Sequence, residues 1–217
     1  MFQDWYASSY HHPFLFWLLQ AISLLFIFAM RRKRLRALFL GLVLLSALDA
    51  WLSANHLSPL KNKNLATISA FVFVFLGDAR FFVLLGLTDK LESKRILRGL
   101  ALAMVVPVAS SVAMITHPDS SRVLFLTYEL MLFALAATIR FAWLPKNPTF
   151  HRPWQKTLCH FELVQYGLWA SADIIILLGH DVGFLLRIVP NLLYYTAFVP
   201  VAYLSQPSDE EPMGNAA

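Results

Sequence analysis

The chain has 217 residues, of which 58% are hydrophobic and 14% charged, and its mean hydropathy is +0.59. Soluble domains carry about 25% charged residues, so this composition predicts an integral membrane protein and excludes a disordered one. The single cysteine, Cys159, excludes a disulfide scaffold and a zinc–thiolate site. The net charge of +5 comes from basic residues between apolar segments, which indicates membrane topology rather than nucleic-acid binding.

Seven apolar segments follow one another along the chain, each close to the roughly 20 residues that a helix needs to cross a bilayer. We predict helices at residues 13–30, 36–54, 65–87, 96–116, 122–144, 158–178 and 183–204. Prolines and glycines at 118, 145, 148, 179, 183 and 207 supply the breaks between them. The predicted fold class is all-α, a polytopic integral membrane protein with seven transmembrane helices. Residues 1–204 form one domain, and 205–217 form an acidic, disordered cytoplasmic tail.

Basic residues are distributed unequally between the two ends of this bundle. Only Lys61, Lys63 and Arg122 lie at the joints after helices 2 and 4. The joints after helices 1, 3 and 5 carry Arg31, Arg32, Lys33, Arg34, Arg36, Lys90, Lys94, Arg95, Arg98, Lys146, Arg152 and Lys156. Cytoplasmic loops are enriched in Lys and Arg, so we expect the N-terminus outside and the C-terminus in the cytoplasm of a multi-pass inner-membrane protein.

Ionisable residues inside the apolar segments mark the candidate site. A charge at the membrane centre costs at least about 2.5–3.5 kcal/mol, so such groups face one another or a wet cavity. Helical spacing places Glu162, Gln165, Trp169 and Asp173 on one stripe of helix 6. The full set is Asp49, Asp78, Arg80, Glu129, Arg140, Glu162, Asp173 and Arg187.

Depth along the helices divides this set into two groups. The outer group is a candidate binding or proton-exchange site, with the members Asp49, Glu129, Asp173, Arg187 and Asn191. The inner polar group consists of Asp78, Arg80, Arg140 and Glu162, and its charges balance. Three outer carboxylates face only one arginine, so we expect Arg187 to pair with one of them and another to exchange a proton. Either group could instead be structural, because polar side chains also join transmembrane helices.

Metal and cofactor sites have no support in the sequence. The histidines form no HxxxH or HExxH pair, and His11 and His12 fall in the N-terminal stretch, which we expect to be exposed. Helix 7 has no lysine that could hold retinal. We therefore predict no metal and no cofactor. The aromatic residues Trp5, Tyr6, Tyr10, Trp143 and Trp154 are interpreted as anchors at the membrane interfaces.

Three short segments resemble the bacterial lysoplasmalogenases, a family of small polytopic hydrolases of vinyl-ether lipids. They are FLGDARFF in helix 3, SAD at residues 171–173 and the ending YYTAFVPVAYLS. The resemblance implies that Asp78 and Asp173 are the carboxylates that protonate the vinyl ether and activate water. The chain lacks the early Lys-Pro of that family and its histidine after the LGD segment, so these segments do not assign it to the family.

Three functions remain open, and the catalytic residues of an enzyme stay unknown. The first is a small-solute or proton-linked transporter, favoured by titratable groups at two depths separated by an apolar middle. The second is an intramembrane hydrolase that acts on a lipid, and the third is a sensory or accessory subunit with a structural polar core. The expected partners are the lipid bilayer, a small-molecule or lipid substrate and a membrane partner protein, but no nucleic acid.

Overall fold

The computed structural model describes residues 1–29, 33–54, 57–86, 93–116, 121–147 and 153–205. Every secondary-structure element in these ranges is helical and none is a strand, so the all-α prediction is confirmed. The predicted acidic tail beyond Ser205 and the joint residues Arg31, Arg32, Lys90 and Arg152 lie outside the described residues.

Ten α-helices make up the described part of the chain. They are α1 (Phe2–Tyr6), α2 (Phe16–Ala29), α3 (Lys33–Leu52), α4 (Lys63–Leu85), α5 (Ser93–Ala103), α6 (Val105–Thr116), α7 (Ser121–Thr138), α8 (Pro153–Leu177), α9 (Val182–Leu192) and α10 (Phe198–Ser205). A π-helical turn precedes α2 at Tyr10–Leu15, another follows α7 at Ile139–Trp143, and a third joins α9 to α10 at Leu193–Ala197. A short 3-10 turn, Leu144–Lys146, continues α7.

These pieces form longer rods that follow the predicted segments. Backbone hydrogen bonds from Met104 to Leu100 and from Val108 to Met104 carry the helix across the break between α5 and α6. The largest difference from the predicted boundaries is at α8, which begins at Pro153 instead of residue 158. Proline is well suited to the first helical position, because an N–H group there would have no intrahelical acceptor.

Among the described residues, three rods are long and apolar enough to cross a membrane: Tyr10–Ala29, Arg122–Lys146 and Val182–Ser205. They are compatible with the predicted membrane protein. Each has many exposed apolar side chains, such as Leu18, Phe141 and Leu204 with 66%, 63% and 68% of their surface accessible. Burial within the protein does not explain apolar surface of this kind, whereas contact with lipid would.

The π-helical turn between α9 and α10 positions two tyrosines of the later site. A π turn changes the usual backbone pairing, and here the carbonyl oxygens of three successive residues accept side-chain hydrogen bonds. Arg80 Nη2 donates to Tyr194 O over 2.8 Å, Gln20 Nε2 to Tyr195 O over 3.2 Å, and Ser23 Oγ to Thr196 O over 3.1 Å. Polar residues of α2 and α4 therefore hold this turn against the bundle.

A buried apolar cluster fills the end of the bundle where α4 ends and α8 begins. Its members include Leu84, Leu144, Leu158 and Phe198, each with at most 1% of its surface exposed. Trp154 belongs to the same cluster and is 2% exposed, so its interpretation as an interfacial anchor is wrong. The cluster packs this end of the bundle with apolar side chains.

Candidate functional site

A cavity of about 350 Å³ lies next to the buried apolar cluster, of which Tyr128 and Tyr166 line the cavity wall. Charged groups in its wall are the carboxylates of Asp49, Asp78 and Glu129 and the guanidinium groups of Arg122 and Arg187. Aromatic side chains make up much of the remaining wall, namely Tyr6, Phe125, Tyr128, Tyr166, Trp169, Tyr194 and Tyr195. Residues from the N-terminal segment and from α3, α4, α7, α8 and α9 thus meet around one space.

Four charged side chains form a cluster between α7, α8 and α9. Arg187 Nη1 lies 3.2 Å from Glu129 Oε1 and also contacts Asp173 Oδ1. Arg122 Nη1 lies 2.9 Å from the same Asp173 oxygen. The predicted pairing of Arg187 with an outer carboxylate is therefore confirmed. Arg122, interpreted as a loop residue, also joins the cluster, so the three outer carboxylates Asp49, Glu129 and Asp173 face two arginines instead of the predicted one. The predicted surplus of carboxylates is smaller but remains.

Asp173 and Glu129 differ in their access to the cavity. Asp173 has 0% of its surface exposed and lies between the two arginines, and it is not among the lining residues. Glu129 lines the cavity, and its Oε2 has no hydrogen-bond partner among the described residues. Asp173 Oδ2 likewise has no hydrogen-bond partner among the described residues, so the two carboxylates differ in position: Glu129 borders the cavity, whereas Asp173 lies behind its wall and orients the arginines.

Asp78 is held by two tyrosines from other helices. The Tyr128 hydroxyl of α7 donates to Asp78 Oδ2, and the Tyr166 hydroxyl of α8 donates to Oδ1. Asp78 is 3% exposed and lines the cavity. Hydrogen bonds from two sides fix the orientation of the carboxylate, and three helices are joined at this point.

Gly77 makes room for a third tyrosine beside Asp78. A Cβ atom at position 77 would lie 1.9 Å from the Tyr194 hydroxyl oxygen, far inside van der Waals contact. Because glycine has no Cβ, Tyr194 can cross α4 closely and donate to the Phe73 carbonyl over 3.2 Å. In the FLGDARFF segment, Asp78 thus provides a cavity carboxylate and Gly77 provides the space for Tyr194.

Asp49 lies on the α3 side of the cavity. The Ser53 hydroxyl, one helical turn later, donates to Asp49 Oδ1 over 3.1 Å. Asp49 is 6% exposed and forms no ion pair with any residue that the structure describes. It is therefore a cavity carboxylate outside the arginine cluster.

The predicted inner polar group does not form one cluster. Arg80 Nη1 donates to Ser46 Oγ over 3.3 Å, and its guanidinium lies 4.2 Å from the ring centres of both Tyr194 and Phe198. Glu162 accepts a 3.5 Å hydrogen bond from Gln165 Nε2 on its own helix. Asp78 belongs to the cavity, so depth along a helix is a poor guide to which groups meet.

Arg140 is the clearest exception within the predicted inner group. Its Nε donates to His160 Nε2 over 2.9 Å in an exposed contact between the end of α7 and the start of α8. Arg140 can satisfy its guanidinium near the protein surface, since a long side chain reaches polar surroundings from an apolar helix. It therefore takes no part in the cavity.

The N-terminal segment contributes to the site, contrary to prediction. Tyr6 Oη accepts hydrogen bonds from Arg187 Nε and Asn191 Nδ2, both over 3.1 Å, so Tyr6 is not an interfacial anchor. His11 is 1% exposed, and its Nδ1 donates to the Tyr6 carbonyl over 2.9 Å. The expectation of an exposed His11 is wrong, because residues 1–12 fold back over the cavity.

The chain matches no protein-family model, no curated protein and no solved structure. The similarity of its short segments to lysoplasmalogenases therefore remains a resemblance, and the function has to be argued from the geometry of the site. Within the described ranges, no group of three or more His, Cys, Asp or Glu side chains could hold a metal ion.

Four site residues were missed by sequence reasoning: Tyr6, Arg122, Tyr128 and Tyr166. Tyr166 carried a usable signal, because it follows Glu162 by four residues and therefore lies close to the polar stripe of α8. Arg122 lies at the first turn of α7, where a basic residue is typical of a loop boundary. Tyr6 precedes the first predicted helix, so no periodic pattern linked it to the bundle.

Proposed function

We propose that this protein is a multi-pass membrane enzyme that hydrolyses an amphiphilic small molecule by carboxylate acid–base chemistry. The observation that carries the proposal is the convergence of Asp49, Asp78 and Glu129 on one cavity of about 350 Å³. Hydrolysis uses one group that takes a proton from water and another that protonates the leaving atom. A cavity with several carboxylates from different helices can supply both.

An enzyme is favoured over the transporter because of how the polar groups are arranged. The transporter hypothesis assumed titratable groups at two depths with an apolar layer between them. Asp78, expected in the inner group, instead lines the same cavity as Asp49 and Glu129. Beyond the cavity, the bundle is filled by buried Leu84, Leu144 and Leu158, which favours a site entered from one end.

An amphiphile is favoured by the rim of the cavity. Phe125 on α7 and Ser53 at the end of α3 are its exposed lining residues, and Phe125 has 38% of its surface accessible. An apolar ring at the rim suits the hydrocarbon part of a ligand. The carboxylates and tyrosine hydroxyls further inside suit a polar part that carries the bond to be cleaved.

The resemblance to lysoplasmalogenases makes a vinyl ether one candidate for this bond. In such a reaction an acid protonates the vinyl carbon, water adds to the resulting cation, and the hemiacetal collapses to an aldehyde and an alcohol. Of the two carboxylates that the resemblance singles out, Asp78 lines the cavity and Asp173 is held behind the wall by two arginines. We assign the acid–base role to Asp78 together with Glu129, and a positioning role to Asp173.

The membrane arrangement is part of the same proposal: all seven rods cross the inner membrane, with the N-terminus outside. Support comes from the lengths of α3, α4 and α8, which have 20, 23 and 25 residues. At 1.5 Å per residue each can span about 30 Å of hydrocarbon. The asymmetry of Lys and Arg along the chain supports the orientation.

The decisive experiment offers defined substrates to the purified protein in lipid nanodiscs. The panel contains lysophospholipids with an ester, an alkyl ether or a vinyl ether at the same position, and products are measured by mass spectrometry. We expect one bond type to be cleaved, and we expect Asp78→Asn and Glu129→Gln to abolish cleavage. Glu162→Gln is the matched control, because Glu162 is equally buried but does not line the cavity.

A proton-linked transporter is the second candidate, favoured by Asp49, a cavity carboxylate without an ion pair among the described residues. If no member of the panel is cleaved and the protein in liposomes instead moves protons in a manner that Asp49→Asn removes, the transporter replaces the hydrolase. Loss of cleavage in Glu162→Gln as well as in the cavity variants would contradict the assigned site.

A further inference from the structure

Residues 1–12 cover the cavity without belonging to the bundle. Tyr6, Ala7, His11 and His12 line the cavity from this segment, yet α1 itself contains no buried residue. Within residues 1–12 only His11 is buried, and a segment with few buried residues can separate from a bundle at lower cost than the core can unfold. Its attachment therefore depends on a few specific contacts.

The first attachment is Asp181, in the turn between α8 and α9. Its Oδ2 accepts a hydrogen bond from the backbone N–H of Phe2 over 2.9 Å, and its Oδ1 accepts one from Gln3 over 3.0 Å. These two N–H groups have no partner within α1, because the first amides of any helix lack one. One carboxylate thus holds the beginning of the segment to the bundle.

The second attachment is the Tyr6 hydroxyl, which lies inside the cavity. Two N–H groups, Arg187 Nε and Asn191 Nδ2, converge on its oxygen at 3.1 Å each. Both donors are held independently of Tyr6. Arg187 is bound through Nη1 to Glu129 and Asp173, and Asn191 Oδ1 accepts from Trp169 Nε1 over 2.8 Å. Removal of Tyr6 would leave two oriented donors facing the cavity.

We propose that residues 1–12 form a lid over the cavity, fastened by Asp181 at its start and by the Tyr6 hydroxyl at its centre. Opening breaks four hydrogen bonds and the Met1–Asp181 ion pair. It also separates the Tyr6 ring from Phe184 and the His12 ring from Phe16 and Tyr195, but it leaves the helices of the bundle packed and therefore costs less than unfolding of the bundle. It also releases Arg187 Nε and Asn191 Nδ2, which become available to an oxygen atom of the ligand. The identity of the ligand that enters the cavity rests on the proposed function, whereas the lid itself does not.

Hydrogen–deuterium exchange of the N-terminal amides tests the two fastenings without any substrate. We expect Asp181→Ala and Tyr6→Phe each to raise the exchange of residues 2–7 by about tenfold, the effect of one or two lost hydrogen bonds. Tyr6→Phe keeps the ring that packs on Phe184 and His11. Asp4→Ala is the matched control. Asp4 lies on α1 and is 88% exposed, and its carboxylate contacts the Met1 amino group rather than the bundle.

Access to the cavity is measured by thiol labelling of a Tyr195→Cys variant, since Tyr195 lines the cavity. The native Cys159 is fully buried and gives little background. A water-soluble thiol reagent should label position 195 faster when Asp181→Ala is also present and at the original rate with Asp4→Ala. Unchanged exchange in both lid variants, or unchanged labelling when Asp181 is replaced, overturns the lid. Neither measurement needs turnover, so failure of the hydrolase leaves this test intact.

Discussion

Arg122 and Asp173 form an ion pair of 2.9 Å that joins the first turn of α7 to the C-terminal end of α8. The Asp173 carboxylate is fully buried, whereas the Arg122 side chain is 28% exposed. Arg187 contacts the same carboxylate oxygen from α9. One acid therefore holds three helices together through two cations, beside the cavity but outside its lining.

Replacement of Asp173 by Asn should destabilise the protein strongly. The variant leaves Glu129 as the only carboxylate partner of Arg187 in the cluster, and removal of one member of a buried ion pair costs about 3–5 kcal/mol. We expect a clearly lower midpoint of thermal unfolding in detergent. Arg122→Gln should cost less, because solvent already reaches that side chain. Equal midpoints for the Asp173→Asn protein and the wild type would show that the cluster contributes no net stability.

The tyrosines that hold Asp78 should be needed for turnover. Tyr128→Phe and Tyr166→Phe each keep the ring and remove one hydrogen bond to the carboxylate. We expect each to lower kcat by about tenfold or more with a smaller effect on KM, because the lost donor orients a reacting group. Tyr203→Phe is the control, since Tyr203 packs against the apolar core and does not line the cavity. A change in KM alone would place Asp78 in binding instead of catalysis.

Sequence reasoning succeeded where the energetic cost of an unpaired charge decides the structure. Arg187 lies in an apolar helix, so it required a carboxylate partner, and Glu129 and Asp173 are its partners. The stripe on α8 was equally predictable, because Glu162, Gln165 and Asp173 are all buried at helical spacing. These are local or strongly penalised features, which a single sequence can show.

It failed where the outcome depends on how helices are arranged around one another. Asp78 and Asp49 were assigned to different depths, yet both line one cavity, because depth along separate helices does not fix the distance between their side chains. Tyr128 and Tyr166 resemble any other aromatic residues of an apolar helix until their hydroxyl groups meet Asp78. Tyr6 reaches the site through a fold-back of the chain, for which no periodic pattern exists.

Substitution of Gly77 should disturb the cavity through Tyr194. In Gly77→Ala the new Cβ would lie 1.9 Å from the Tyr194 hydroxyl oxygen, so Tyr194 must leave its position and lose its bond to Phe73. We expect a loss of about 1–3 kcal/mol, typical of an overpacked core, together with reduced turnover. Gly41→Ala is the control, with no atom within 4 Å of its added Cβ. The measurement is thermal unfolding of both variants in detergent. Equal midpoints for Gly77→Ala and Gly41→Ala would contradict the prediction.

Cysteine labelling in cells should reveal the orientation of the bundle. A membrane-impermeant thiol reagent is expected to label Lys63→Cys from outside and to reach Lys94→Cys only after the cells are opened, because Lys94 lies in a strongly basic joint. Buried Cys159 should remain unlabelled in both cases. Labelling of position 94 in intact cells would reverse the proposed orientation.

Acid should open the lid through Asp181. The backbone N–H groups of Phe2 and Gln3 hold the pKa of this carboxyl below its ordinary value of 3.8. The Met1 amino group, 3.4 Å away, acts in the same direction, and Asp4 shares that amino group. A carboxyl with a lowered pKa stabilises the closed form above its ordinary value, and this contribution disappears as the pH falls through the lowered value.

Lid exchange, corrected for the intrinsic pH dependence of amide exchange, should therefore show a rise below about pH 4 that comes from loss of the Asp181 contacts. In Asp181→Ala exchange should be higher and this rise below about pH 4 should be absent, whereas Asp4→Ala should retain it. A wild-type lid that keeps its protection well below the ordinary pKa of Asp181, or an Asp181→Ala lid that still shows the rise below about pH 4, would show that another group fastens residues 1–12. Tyr6→Phe should raise lid exchange at every pH without changing the pH below which exchange rises. The measurement therefore distinguishes the Asp181 contacts from the Tyr6 contact.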